Sequence, residues 1–545
     1  MRRKIDRRTF LAGLGATGAA AAIAACAPGT SPTVPSASAA ASAAASATPA
    51  GVKPLRGGKA TLAVQREANE LDGEMASTGQ AVMYSRLFYN QLWRASMTST
   101  GFKAEPELAE SWELTNPTTL VFHLRKGVQF HDGSEFDATV AQWNFERVAK
   151  AGSKSPGMSR IIAAVKSAQV IDKYTFQFNL VAPSPYLFEN GLGFTHYWWM
   201  MSPAYYDKVG DTGFARSPMG TGPFKLAEWV QGDHLTATRF DNYWDKDSFG
   251  VQRPYLDQVT FKPIADTTAL FNALRSGSVD WVVTLLPTDV AIAKKDPTLK
   301  VTDDPGIIQN FSFNTKTPAL ADKRVRQAIA WAIDREAIAQ GVYLGLGAVP
   351  KWYMPDGDAW NDASVPYYTF DQAKAKSLLA ATAPNGLKFT LTVDNVTQMT
   401  QLAQVIKAQL KDVGIDVTLD VVQPGVASQR GQNGQVESSL FAVGGGTAPA
   451  TPDDVTFDPV RGQYTFTPDL LAKAYPVLQQ ARQESDRGKA KQLYAQFWTL
   501  DFDDPGRVNL HRVPDIRAMN KQLMGYHQQG FFGNDPMLDQ LWWQK

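Results

Sequence analysis

Residues 387–422 run LKFTLTVDNVTQMTQLAQVIKAQLKDVGIDVTLDVV, and this stretch decides the class of fold. Phe389 to Val393 is a strand, built of the aromatic and β-branched side chains that suit a pleated sheet. Behind it, Leu402, Ile406, Leu410 and Val413 recur at spacings of three or four residues, so they share one face of a helix. Ile415, Val417, Leu419 and Val421 then alternate with their neighbours, the period of a half-buried strand. A strand, a helix and a second strand in so short a span make a right-handed crossover between parallel strands. The chain is therefore an α/β protein.

Working outward, Asp322 stands as the N-cap of a helix whose Val325, Ile329 and Ile333 face a core. Asp371 caps the next helix, which buries Leu378 and Leu379. Asn272 to Ser276 is helical and closes at Gly277, where glycine accepts a left-handed C-cap most easily. Lys225–Trp229 and Leu235–Phe240 flank Gln231-Gly232-Asp233 as a hairpin. Towards the N-terminus, Lys59–Ala63 is an opening strand, Leu120–Arg125 alternates as a second, and Val170–Val181 reads as one further β segment. Asp137 caps a helix running through Val140, Trp143, Phe145 and Val148. Near the C-terminus a helix starts at Pro468, and Arg482–Leu500 continues helical. The sequence contains no internal repeat.

The first residues set the compartment. Arg2, Arg3, Lys4, Arg7 and Arg8 precede an uncharged run from Leu11 to Ala25. A spanning helix needs about 20 apolar residues, so this run is a secretory signal and not a membrane span. Asp6-Arg7-Arg8-Thr9-Phe10-Leu11 resembles a twin-arginine signal, the ordinary Sec route being its rival. Ile23-Ala24-Ala25-Cys26 resembles a bacterial lipobox, in which the cysteine is acylated and becomes the mature N-terminus. Cys26 is the one cysteine of the chain, so the mature protein has no structural disulfide. Gly13 to Gly18 matches a dinucleotide-binding glycine pattern, but it lies inside the signal with no strand before it and is discarded. Ala27 to Gly51 is Ala, Ser, Thr and Pro with little to bury, which predicts a disordered tether. Residues 1–25 are thus expected to be signal and 26–56 tether, with the body held by lipid at the outer face of the cytoplasmic membrane.

The body that follows has roughly 490 residues, enough for more than one core. The whole chain carries 54 basic and 53 acidic residues; the signal removes five of the former and one of the latter, leaving 49 against 52. So balanced a surface offers no footprint for nucleic acid. The signatures HExxH, GxSxG and SxxK are absent, and the six histidines show no close metal-ligand spacing. Asp501, Asp503 and Asp504 stand beside Pro505-Gly506, where solvated turn acids are expected. These features point away from an enzyme and call for no cofactor and no metal.

Several segments carry a family resemblance. Pro106-Glu-Leu-Ala-Glu-Ser-Trp112, Phe122-His-Leu-Arg-Lys-Gly-Val-Gln-Phe-His-Asp-Gly133, Pro218-Met-Gly-Thr-Gly-Pro-Phe224 and Phe313-Asn-Thr-Lys316 with Arg324–Ile329 and Ala332–Glu336 follow one another in order. Together they resemble the family 5, peptide/nickel type of extracytoplasmic solute-binding protein of ABC importers. The resemblance implies a two-lobed periplasmic-binding-protein type II fold with a hinge and an extra subdomain inserted in lobe one. Residues 57–97, 196–312 and 512–545 are then expected in lobe I, 98–195 in the insert and 313–511 in lobe II. It implies a monomer that closes on a small-molecule or peptide ligand and delivers it to a membrane permease. A surface-anchored solute sensor and an oligosaccharide-binding protein are the alternatives.

The landmark motifs His131-Asp132-Gly133 and Gly220-Thr221-Gly222-Pro223 are expected to serve the backbone rather than the ligand. In peptide-binding relatives an acid after a Trp-Gly-rich strand end pairs with the ligand amine. Here Phe441-Ala-Val-Gly-Gly-Gly446-Thr-Ala carries neither, and Asp453 and Asp454 are possible displaced substitutes. The candidate contacts are Glu67, Asn69 and Leu71 after the first strand, and Tyr197, Trp198 and Trp199 as stacking surfaces. Asn395 stands at a strand's carboxyl end, Arg430 offers a clamp for a carboxylate, and Gly445, Gly446 and Thr447 allow close backbone approach.

Overall fold

The computed structural model describes residues 52–75, 79–98, 101–151, 159–186, 198–304, 306–351, 360–443, 465–526 and 536–544. The crossover unit forms as the periodicity requires. Strands Leu387–Asp394 and Ile415–Val422 pair in parallel from Leu387 opposite Ile415 to Asp394 opposite Val422. Helix Thr397–Lys411 joins them and buries Leu402, Ile406 and Leu410. These strands belong to a five-stranded sheet in the order Ile415–Val422, Leu387–Asp394, Ser438–Val443, Ile308–Phe313, Arg507–Arg512. One face of this sheet carries Leu391, Leu440, Phe311 and Val508 into the apolar core with Ile329, Ile338, Leu402 and Ile406.

A second sheet has seven strands in the order Leu299–Asp304, Asp515–Asn520, Trp281–Val282, Lys59–Val64, Gln258–Pro263, His234–Arg239, Phe224–Val230. Its centre is parallel, Lys59–Val64 running alongside both Gln258–Pro263 and Trp281–Val282, while its edges are antiparallel. A third, antiparallel sheet of Ala109–Asn116, Thr119–Leu124, Thr175–Leu180 and Val165–Asp172 forms the inserted subdomain. Helix Ala138–Ala151 packs on it, with Asp137 accepting from the Thr139 and Val140 amides at 2.9 and 3.2 Å.

The expected domain limits need adjustment. Strand Ile308–Phe313 lies in the five-stranded sheet, so the chain leaves the first lobe between Asp304 and Ile308 and not at residue 312. It returns at Val513-Pro514, between strands Arg507–Arg512 and Asp515–Asn520. The core of the insert begins before residue 98, with Leu92 and Trp93, and draws in Trp198 and Met200 after residue 195. Two elements also divide where one was expected. The segment 170–181 spans the end of strand Val165–Asp172, a turn, and strand Thr175–Leu180 of a hairpin, broken where Asp172 accepts from the Tyr174 amide at 2.8 Å. Helices Pro468–Gln483 and Arg487–Asp503 are separate, because Asp486 caps the second by accepting from the Lys489 amide at 2.9 Å.

The landmark motifs meet one another. The His131 Nε2–H donates to the Gly222 carbonyl and the His131 amide to that of Gly220, both at 2.9 Å. A side chain at Gly220 or Gly222 would collide with the backbone of Phe88, so glycine here permits close packing. Burial lowers the His131 pKa to about 4, which keeps the ring neutral at physiological pH.

Gly306 is the corresponding point between the lobes. A methyl group there would fall 1.9 Å from the Val513 carbonyl oxygen and 2.8 Å from the Asp515 amide. Gly306→Ala is expected to lower stability by about 1–3 kcal/mol through overpacking. The check is the urea unfolding midpoint at unchanged slope; an unaltered midpoint counts against the close approach.

Candidate functional site

The register of both sheets places their carboxyl strand ends on the hinge side. In the first lobe Val64 and Pro263 end level with each other, and Asp304 faces Asp515 where the chain re-enters. In the second lobe Val443 faces Ile308, the first residue after the crossing, and Asp394 ends level with Val422. Open α/β sheets take ligands beyond such ends. The space between the lobes is thus bounded by the loops after Val64 and Asp394 and by the strand end at Val443.

The two crossings are held together by backbone. The Val513 amide donates to the Ile307 carbonyl at 2.8 Å, and Ala348 and Arg512 exchange amide bonds at 2.8 and 3.2 Å. Beside them runs a strap, residues 343–348, in which Leu344, Gly345 and Gly347 all have positive φ. Its Tyr343 ring stacks on His511 with centroids 4.2 Å apart, and the His511 Nε2–H donates to the Leu346 carbonyl at 2.8 Å. Burial holds His511 neutral, with a pKa lowered to about 4. Leu346 packs on the first lobe's cluster of Leu270, Phe271 and Val282, so the strap touches both lobes.

The second sheet presents polar side chains on its other face. By register Thr392, Ser439, Asn310 and Ser312 point the same way, and all four are buried. Asn310 Oδ1 and Ser312 Oγ have no hydrogen-bond partner among the described residues. Buried polar atoms are ordinarily paired, so an unpaired pair on a sheet beside the hinge marks a surface made for hydrogen bonds from elsewhere. The signal was present in Ile308-Gln-Asn-Phe-Ser-Phe313, a strand buried at every position that carries Gln, Asn and Ser. Sequence reasoning passed over it, as it did Tyr343 and His511.

The candidate contacts separate into groups. Asn395 lies exposed at the hinge end of its strand, with its amide donating to Val422 at 2.7 Å, and Asn69 is exposed in the loop after the first strand. Glu67 is in the same loop but is already engaged, accepting from Trp229 Nε1 at 3.1 Å and the Gly232 amide at 2.7 Å. Leu71 is corrected to a core residue, buried with Tyr89, whose hydroxyl donates to the Leu71 carbonyl at 2.8 Å. Trp198 and Trp199 are corrected likewise: both are 0% exposed. Trp198 stacks on Phe178 at 5.3 Å, and Trp199 is covered by Tyr89 and by the Arg86 guanidinium at 4.8 Å, so neither has a face to offer. The half-exposed Arg430 is paired with Asp420 at 3.2 Å on the surface and does not stand ready as a clamp. Tyr197, Gly445, Gly446, Thr447, Asp453 and Asp454 lie outside the described residues.

The loop after the first strand is locked to the insert by a buried ion cluster. Arg147 contacts Asp72 at 2.5 Å, Glu74 at 2.6 Å and Asp211 at 3.2 Å. Burial raises the Glu74 pKa well above the carboxylate range, with repulsion from Asp72 adding to it and Arg147 opposing. Far along the chain, the Tyr186 hydroxyl donates to the Ser485 carbonyl at 3.1 Å and its ring meets Trp360 at 5.1 Å, tying the segment after the insert's last strand to the second lobe's helical hairpin.

Residues 103–459 match the family described as bacterial extracellular solute-binding proteins, family 5 Middle. The protein belongs to that family. The dipeptide-binding protein of Escherichia coli K12 is 26% identical to this solute-binding protein over 478 residues, covering 80% of this chain and 86% of the relative. The oligopeptide-binding protein AppA of Bacillus subtilis 168 is 26% identical over 505 residues, covering 87% and 90%. Among solved structures, the periplasmic binding protein DppA of Helicobacter pylori in complex with peptide STSA superposes with a TM-score of 0.78 at 24% identity, over 90% of this chain and 99% of that one. AgaA of A. tumefaciens R10 in complex with agropinic acid gives the same score, identity and coverage. This is a type II periplasmic-binding-protein fold in an extracytoplasmic family, and among the described residues no helix is long and apolar enough to cross a membrane.

Replacing Arg147 by Met strands two buried carboxylates. The expected loss is about 3–5 kcal/mol, read as a lower thermal midpoint at neutral pH; an unchanged midpoint would show that the cluster does not lock the loop.

Proposed function

We propose that this solute-binding protein captures a peptide, or another small organic solute of comparable polarity, between its lobes and delivers it to an ABC permease. The observation that carries this reading is the buried polar face beside the hinge, with Asn310 Oδ1 and Ser312 Oγ lacking partners. A peptide backbone offers donors and acceptors in alternation and would satisfy such atoms once the lobes close. The relatives named for dipeptides and oligopeptides support the same class. Closure is a hinge motion about 306–307 and 513–514, favoured by the ligand's preference for the closed state. Function is binding and release, with no bond made or broken in the ligand.

The strand end at 441–447 carries no acid for a ligand amine, so Asp453 or Asp454 takes that role in this reading. Asn69 and Asn395 face the ligand from opposite lobes. Cys26 carries the lipid that holds the protein, as a monomer, at the outer face of the cytoplasmic membrane. Export follows the twin-arginine route suggested by Arg7-Arg8.

A thermal-shift screen of the mature body tests the ligand class. A peptide present at 100 times its Kd is expected to stabilise by about 2.7 kcal/mol. Asn310→Ala should reduce that shift without lowering the midpoint of the free protein. Stabilisation by oligosaccharides and by no peptide would overturn the assignment. For the anchor, Cys26→Ser is expected to abolish palmitate labelling and release the protein from the membrane fraction; retention of label would move the anchor elsewhere.

A further inference from the structure

At the outer edge of strand Arg507–Arg512, at the end away from the hinge, the second lobe has a small recess of about 60 Å³ that opens to solvent. Asp501 lines it and is 7% exposed, yet its carboxylate has no hydrogen bond and no ion pair among the described residues. The expectation that Asp501, Asp503 and Asp504 are solvated turn acids holds for Asp503 alone. Asp504 is buried against Arg326 and Thr467, while Asp501 is buried with no hydrogen bond or ion pair among the described residues, only the charge of Arg507 favouring its ionised form. Next to it Asn509 Oδ1 is buried and also lacks a partner. An acceptor pair of this kind is costly unless something supplies donors.

The same recess is lined by Arg507 and by two further cations, Arg335 and Lys351, that make no ion pair among the described residues. Arg335, 8% exposed, donates only to the carbonyls of Pro350 and Asn509, at 3.3 and 3.4 Å. Lys351 is exposed at the rim, with its ammonium 5.8 Å from the Tyr367 ring centroid and no ion pair among the described residues. Tyr367, Trp498 and Phe502 supply an apolar wall. Unpartnered acceptors, unpaired cations and aromatic surface in one small recess match a molecule that carries an ammonium, a carboxylate and an apolar side chain.

We propose that this recess is a second binding site, separate from the cleft between the lobes, for a small zwitterion of the α-amino-acid class. The ammonium lies toward Asp501 and Asn509 Oδ1, the carboxylate toward Arg335 and Lys351, and the side chain against Trp498 and Tyr367. The charged and titratable groups facing Asp501 are Arg507 from the strand, Asp504 from the turn, Arg335 from its helix, Lys351 at the rim and Tyr368 from the loop before residue 371. Burial raises the Asp501 pKa to about 7, with Arg507 opposing and Asp504 adding. An ammonium pairs with the ionised acid, so binding strengthens as pH rises through that value, by roughly tenfold between pH 6 and pH 8.

The experiment is calorimetric titration of the mature protein with L-leucine, and with 4-methylpentanoate, which keeps the carboxylate and lacks the ammonium. Leucine is expected to bind and 4-methylpentanoate to bind at least about tenfold more weakly. Asp501→Asn is expected to weaken leucine about tenfold and to remove its pH dependence, while peptide capture by the cleft is unchanged. Folding of the variant is checked separately. The acid raised in the folded state costs wild-type stability as pH rises from about 4 to about 7, so Asp501→Asn should be at least as stable as wild type at pH 8. Leucine binding that survives Asp501→Asn, or is lost in Asn310→Ala instead, would place the amino acid in the cleft and overturn the proposal. So would the absence of any leucine binding, or equal affinity for 4-methylpentanoate.

Discussion

Two backbone crossings, packed until there is no room for a methyl group between them, are the constraint on which the rest of this protein depends. Gly306 lies against the Val513 carbonyl, and the Val513 amide bonds the Ile307 carbonyl, so the strands that pass between the lobes move as one unit. The pivot is short, since strands Leu299–Asp304 and Ile308–Phe313 are each committed to a different sheet. The strap at residues 343–348 adds a side-chain component, with Leu346 in the first lobe's core and Tyr343 on His511 of the second.

The register that brings the crossings together also aims the sheets. Because the parallel strands of both lobes end on the hinge side, the loops after Val64 and Asp394 open into one space. The lobes differ in what they bring to it. The first contributes a loop that Arg147 fixes to the insert, whereas the second contributes a sheet face of Thr392, Ser439, Asn310 and Ser312. Rigid walls about a narrow pivot are what a solute-binding protein needs, since ligand contacts then translate into closure and are not lost in local rearrangement.

Much of the fold was legible because it is local. The alternation in Ile415–Val421, the helical spacing of Leu402, Ile406 and Leu410 and the caps Asp137, Asp322 and Asp371 depend on near neighbours, and each forms where the pattern puts it. Errors arose where a short polar turn competed with a longer pattern. Asp172 splits one apparent strand and Asp486 one apparent helix, each by capturing a backbone amide two or three residues on. The site was harder to read, because an indole suited to stacking on a ligand is equally suited to a core. Trp198 and Trp199 went to the core because Trp93, Phe178 and Tyr89 come from distant parts of the chain to enclose them.

The sequence by itself determined the α/β class, the crossover unit, and a motif order that identifies the family. All of these are written in spacings of a few residues or in ordered runs. Tertiary structure alone decided that His131 meets Gly220 and Gly222, that Glu67 is held by Trp229, and that Asp501 is buried without a hydrogen-bond partner among the described residues. The physical reason is that burial and pairing are properties of the enclosure, assembled from segments hundreds of residues apart, and no local pattern records whether a carboxylate or an indole will face water, a partner or an empty recess.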